Sequence, residues 1–288
     1  MLLDCKCFGG GGGGGTVGDD LLWHIDLKRH ASGDYSFAMV QANSKLEDQG
    51  QVFTSPSATY LGVYDGHGGP QASRFVSRRL FPFIHDFATE QGGLSAEVIR
   101  KAFSATEEEF LQIVKRSWMA QPEIASAGSC CLLGIVSDDL LYVANLGDSR
   151  AVLGEKGNGR VVAERLTTDH NVGVEEVRKE VEARHPDDAK IVIHARGVWR
   201  IKGIIQGIAR RLVRAALQEA AKKREMIYKD ITKIEKGVRR YFHDDITVIV
   251  MFLDHPSGRL RAKASSVDCV SSPADIYSSS NGSNKDHS

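Results

Sequence analysis

The chain has 288 residues, 42% hydrophobic and 26% charged, which is ordinary globular composition and enough for one or two domains. Lys plus Arg and Asp plus Glu both number 37, so a formal net charge of zero gives no global pull toward nucleic acid or an anionic membrane. The five cysteines are odd in number with no repeated spacing, and no run approaches the ~18 apolar residues of a membrane span. Together these point to a reducing, intracellular setting, cytoplasm or nucleus. The opening Met-Leu-Leu-Asp lacks a basic-then-apolar leader, and Leu2 stands where myristoylation requires Gly. Cys5 and Cys7 read either as exposed thiols or as acylation sites, which leaves peripheral association with the plasma membrane open.

Residues 9–15 are consecutive glycines, so residues 1–20 are expected to be a flexible lead-in. Residues 35–43 and 58–64 are short, rich in aromatic and branched side chains, and bounded by turn formers: two strands. Residues 70–87 carry Ala72, Phe75, Val76, Leu80 and Phe83 at helical spacing. A second helix is predicted over 95–118, with Ser95 as N-cap and Glu97 in its first turn. Strands at 129–136 and 139–145 are joined by a turn at Ser137-Asp138, and a further hairpin pairs 150–153 with 160–163. Residues 173–184 read as a polar helix and 208–225 as an amphipathic one. The stretch 207–240 holds eleven Lys and Arg against four acids, but aromatics do not interleave there as a stacking platform, so it reads as a solvated helix face rather than a nucleic-acid surface. Residues 246–253 are continuously apolar apart from Thr247 and predict a strand buried on both faces. From 254 to 288 the chain is Ser, Asn and Asp rich, a disordered tail. Hairpins between blocks of helix indicate an α+β fold.

The sharpest chemical signal is Val63-Tyr64-Asp65-Gly66-His67-Gly68-Gly69. Asp65, at a strand end, is a hard oxygen donor suited to a divalent cation. Gly66 lets the backbone turn closely so that its carbonyl can also face an ion. His67 is expected to titrate near neutrality and can serve as a general acid. A plain glycine turn with a surface acid and histidine is the alternative. Glu47-Asp48, Asp148 and Asp244-Asp245 are further acids at predicted strand ends. Gathered carboxylates repel one another, so bringing them together makes sense mainly around a cation. Cys130 and Cys131 lie in an apolar run without a basic neighbour and read as core thiols.

The order Asp-Gly-His-Gly-Gly, then Gly-Asp-Ser-Arg (147–150), Leu-Thr-Thr-Asp-His (166–170) and Asp-Asp-Ile-Thr-Val (244–248) resembles the metal-dependent (PPM, type 2C) protein serine/threonine phosphatases. The likeness runs from Leu22 to Leu253 and is nearest a plant subgroup that shares Val-Gln-Ala-Asn and Leu-Glu-Asp-Gln. It implies a four-layer α/β/β/α sandwich of two antiparallel sheets in a domain spanning 21–253. It also implies two Mn²⁺ or Mg²⁺ ions: Asp65 bridging them, the Gly66 carbonyl and Asp244 as ligands, Glu47 acting through water, and Asp148 holding a weaker third ion. His67 would protonate the leaving seryl or threonyl oxygen, and a metal-activated water would attack the phosphorus. The implied partners are phosphorylated proteins, met by a monomer.

The sequence departs from that pattern at one place. Resembling proteins have more chain between Ile205 and Gly207, including Ser-x-Ser-x-Gly-Asp and a strand ending in Ser-Asp-Gly-Leu-Trp, and neither motif occurs here. An internal segment is therefore expected to be missing at 206/207, with one metal-ligating aspartate, which makes the domain incomplete. The alternative function is a catalytically impaired or inactive shortened form acting as a binding module. Asn43 also stands where many such enzymes place a phosphate-binding Arg, a difference the plant subgroup shares.

Overall fold

The computed structural model of the chain describes residues 22–157, 160–184, 186, 192–195, 198–201, 233–235, 237–253 and 267–275. In chain order the strands and helices are β1 (Leu22–His30), β2 (Gly33–Val40), β3 (Gln49–Thr54), β4 (Ala58–Tyr64), β5 (Gly66–His67), α1 (Gln71–Gln91), α2 (Ala96–Ser117), β6 (Gly128–Ser129), β7 (Cys131–Ser137), β8 (Leu140–Leu146), β9 (Val152–Gly157), β10 (Arg160–Arg165), α3 (Glu175–Arg184), β11 (Val192–Ala195), β12 (Val198–Ile201), β13 (Ile246–Leu253) and β14 (Asp268–Ser271). The class is α+β with antiparallel sheets, as expected. The glycine run, the junction at 206/207 and the helix expected over 208–225 lie outside the described residues. The described residues fall into two compact units, those up to Leu61 together with those from 233 onward making one and those from Gly62 to Ile201 the other.

In the first unit, β2 is flanked by β1 and β13, both antiparallel to it. β2 alternates, burying Tyr35, Phe37 and Met39 on one face. These pack with Leu46, Val52 and Val270, and Trp23 meets Phe37 edge-on at 4.9 Å. Each such fully buried side chain contributes ~1.5–3 kcal/mol. Gly50 belongs to this packing: a Cβ there would lie 2.3 Å from Phe37 Cζ.

Two expectations change here. β13 was read as a strand covered on both faces. It instead pairs only with β2 among the described residues, and of its eight residues only Ile246 is buried, with Phe252 52% exposed. An apolar run reports how oily a strand is, not how many neighbours it has. The tail expected to be disordered from 254 contains β14, which pairs antiparallel with β3. The Gly50 N–H reaches Ser272 Oγ (3.0 Å), and the Ser272 N–H reaches Gly50 O (2.9 Å). Four residues as polar as Asp-Cys-Val-Ser become a strand because a partner's backbone groups are there to satisfy theirs.

In the second unit, α1 and α2 pack through Ala72 and Phe110, joined by Phe75, Ile113, Val114, Ile124 and Ala127. The Ser95 cap forms as predicted, its hydroxyl accepting the Val98 N–H at 3.2 Å. β7 and β8 form the expected hairpin. Its turn is Asp138-Asp139, one residue later than predicted, with φ of 51° and 61°, as a tight two-residue hairpin requires.

Candidate functional site

Within the first unit, the loop after β2 and the segment before β13 build an acidic cluster. Asp245 is buried, and its carboxylate accepts three backbone N–H groups: Ala42 (2.7 Å) and Asn43 (2.9 Å) on Oδ1, Glu47 (2.8 Å) on Oδ2. It fixes the loop and leaves its neighbour Asp244 to face outward. The Asn43 amide donates to Asp244 Oδ1 at 2.8 Å and to Glu47 Oε2 at 3.3 Å, so these two predicted site residues are brought together. Asp48 turns the other way and accepts the Thr247 hydroxyl at 2.8 Å. Arg240 completes the cluster: Nη1 hydrogen-bonds Asn43 Oδ1 and lies 3.3 Å from Glu47 Oε2 and 3.5 Å from Asp244 Oδ1. The sequence reading missed Arg240 as a member. Its only local signal is the four-residue spacing to Asp244.

Arg239 has the opposite role. It is 3% exposed and donates to the carbonyls of Gln41 (2.8 Å) and Ile234 (2.6 and 3.1 Å). The adjacent Gly237, at φ 87°, donates its N–H to Ala42 O at 2.7 Å. Burial also holds the neighbouring His243 below the ordinary histidine pKa, and its Nδ1 lies 2.7 Å from Asp244 O.

Within the second unit, β4 ends in buried Tyr64 and delivers Asp65. β5 is held by β6, Gly66 opposite Ser129 and His67 opposite Gly128. The turn glycines are Gly68 and Gly69, at φ 70° and 127°. A Cβ on Gly68 would lie 2.3 Å from Ser126 O. Gly66 was expected to provide the turn. It is instead a buried strand residue. Burial lowers the His67 pKa to about 4, so the expectation of titration near neutrality is corrected: its imidazole is neutral at pH 7.

Cys130 links Asp65 to Asp148. Its N–H donates to Asp65 O at 2.8 Å, and its Sγ lies 3.5 Å from Asp148 Oδ1. Asp148 is buried and also accepts the Asn171 amide at 2.9 Å, a partner that the sequence reading did not find. Gly147, at φ 117°, is required because a Cβ would lie 2.5 Å from Cys130 Sγ. Asp169 bridges Arg150 (2.6 Å) and Arg165 (2.5 Å), tying the Gly-Asp-Ser-Arg and Leu-Thr-Thr-Asp-His motifs together.

Among the described residues, no group of three or more His, Cys, Asp or Glu side chains is gathered to hold a metal ion. The donor chemistry nevertheless suits a hard cation. Oxygens of Asn43, Glu47 and Asp244 already converge on one cationic nitrogen.

The protein phosphatase 2C family pattern matches residues 26–204. The chain is 51% identical over 360 aligned positions to probable protein phosphatase 2C 78 of Oryza sativa subsp. japonica, covering 96% of this chain and 92% of that protein. It is 50% identical over 358 positions to probable protein phosphatase 2C 63 of Arabidopsis thaliana, covering 95% and 93%. Both alignments are longer than the 288 residues of the chain, so these relatives carry residues with no counterpart here. A solved serine-threonine phosphatase 2C from Toxoplasma gondii aligns at TM-score 0.48 and 15% identity over 82% of this chain and 78% of that one.

Proposed function

The chain belongs to the protein phosphatase 2C family and is by that membership a protein serine/threonine phosphatase; from this premise we propose that Asp65, Gly66, Glu47, Asp244 and Asp148 are its ligands for Mn²⁺ or Mg²⁺. The family is metal-dependent. Two ions per site, when bound, would supply the Lewis acidity that makes water nucleophilic toward a phosphate ester. The observation that carries the reading is the convergence of the Glu47 and Asp244 carboxylates, far apart in sequence, on a single positive charge.

The protein's own residues then divide the work. Asp245 and Arg239 hold the two loops that present Glu47 and Asp244. His67 serves as general acid to the leaving seryl or threonyl oxygen only in its protonated form, which burial disfavours at pH 7; as the neutral imidazole it offers that oxygen an N–H hydrogen bond. Cys130 and Cys131 take no covalent part, because burial keeps both as thiols. We place the missing segment at Gln206/Gly207. The family match ending at 204 and the excess length of the relatives' alignments support this. No described helix is long and apolar enough to cross a membrane. The proposed setting is the cytoplasm or nucleus, with the protein acting as a monomer on phosphorylated proteins, without nucleic acid.

The relatives favour a phosphatase over a non-catalytic binding module. The test is hydrolysis of a phosphothreonine peptide with Mn²⁺ or Mg²⁺, by the chain and by a form with the segment restored. Turnover should be much higher in the restored form, abolished by EDTA, and abolished by D65N or D244N. Metal-independent turnover, or turnover unchanged by D65N and D244N, would refute the ligand assignment. Equal turnover by the two forms would show the missing aspartate to be dispensable.

A further inference from the structure

We propose that Arg240 is the resident counter-cation of the Asn43–Glu47–Asp244 oxygen cluster, and that a divalent ion binds there only by displacing its guanidinium. The inference rests on the metal-site reading above and adds a built-in competitor to it. One nitrogen, Nη1, meets all three side chains: Asn43 Oδ1, Glu47 Oε2 at 3.3 Å and Asp244 Oδ1 at 3.5 Å. The Asn43 amide is oriented for this. Its Nδ2 is spent on the same two carboxylates, at 3.3 and 2.8 Å, which leaves its oxygen for the arginine.

The contrast with Arg239 shows why Arg240 can leave. The Arg239 side chain is buried and committed to carbonyls, so it anchors the short 3-10 turn Arg239–Tyr241. The Arg240 side chain is 55% exposed and has water available on its open side. The Glu47 side chain, by contrast, is only 15% exposed. A carboxylate that desolvated is stabilised by a nearby cation, and Arg240 supplies one when no ion is bound. A guanidinium and a divalent ion cannot share three oxygens, because like charges at that spacing repel strongly. The Arg240 guanidinium and the Asp244 carboxylate are both about half exposed and screened by water, so the exchange is modest in cost and Arg240 tunes the affinity rather than blocking the site.

The test is Mn²⁺ titration of the full chain, followed by calorimetry and by the electron paramagnetic resonance of free Mn²⁺, with no activity readout. R240A should bind Mn²⁺ about two- to five-fold more tightly than the unmodified chain. R240Q keeps a donor for Asn43 without the charge and should show the same gain, so a folding defect in R240A alone does not decide the matter. Unchanged or weaker Mn²⁺ binding by R240Q, while D244N weakens binding, would overturn the inference and leave the metal site standing. If D244N changes Mn²⁺ binding in neither the unmodified nor the R240Q background, the metal-site reading itself fails and the inference falls with it.

Discussion

The Asp245 carboxylate accepts the backbone N–H of Glu47 at 2.8 Å across 198 residues of sequence. Two adjacent aspartates thereby take different work: Asp245 faces inward to build the loop, and Asp244 faces outward to the candidate ligand cluster. Asp245→Ala would leave the N–H groups of Ala42, Asn43 and Glu47 without their acceptor. The expected loss is about 2–4 kcal/mol in urea unfolding. Asp244→Asn, at a half-exposed side chain, should cost less than about 1 kcal/mol. Equal effects of the two would contradict the division.

Acid should destabilise the protein through its histidines. Burial depresses His67 to about 4 and lowers His243 as well, against an unfolded value near 6.5. Between these values the unfolded chain binds more protons, so stability rises with pH. The contribution is fully present above about pH 6.5 and is lost as pH falls toward about 4. Urea midpoints measured from pH 7.5 to 4.5 should fall, and His67→Gln should flatten part of the slope. A parallel slope in the variant would show that His67 is not desolvated in solution.

Cys130 and Cys131 are buried, and desolvation holds both thiols far above their ordinary range. The charge of Asp65 raises Cys130 further. Iodoacetamide at pH 8 should leave the peptide containing both unlabelled in folded protein, while the partly buried Cys269 of β14 is modified. Labelling of Cys131 as fast as Cys269 would mean that the core of this unit opens readily.

β13 exposes Val250, Phe252 and Leu253 and pairs along one edge only among the described residues. Exposed apolar surface forgoes about 25 cal/mol per Å², and an open apolar edge invites pairing between chains. The chain is expected to aggregate on heating with a broad transition. Restoring a segment between Gln206 and Gly207 should raise and sharpen the midpoint. A cooperative transition at the same temperature in both forms would show that the missing residues do not cover this strand.

Local pattern was enough for much of this protein. Helical spacing located α1 and α2, and Ser95 marked its cap. The aromatic and branched run 58–64 is β4, and the apolar pair around Asp138 is the β7–β8 hairpin. The ordered acid and glycine motifs identified the family because each lies within a few residues of chain. Tertiary structure decided the rest. β3 was missed because its buried Gln49 and Gln51 look polar in sequence, and β14 exists only by pairing with it. Asp244 and Asp245 are equivalent as letters and are separated only by three backbone N–H groups from a distant loop. His67 lost its neutral-range titration to burial, and Arg240 gained its role from Asn43 and Glu47. Periodicity is a property of neighbours along the chain, whereas desolvation, strand pairing and counter-charge are supplied by residues that meet only when the chain folds.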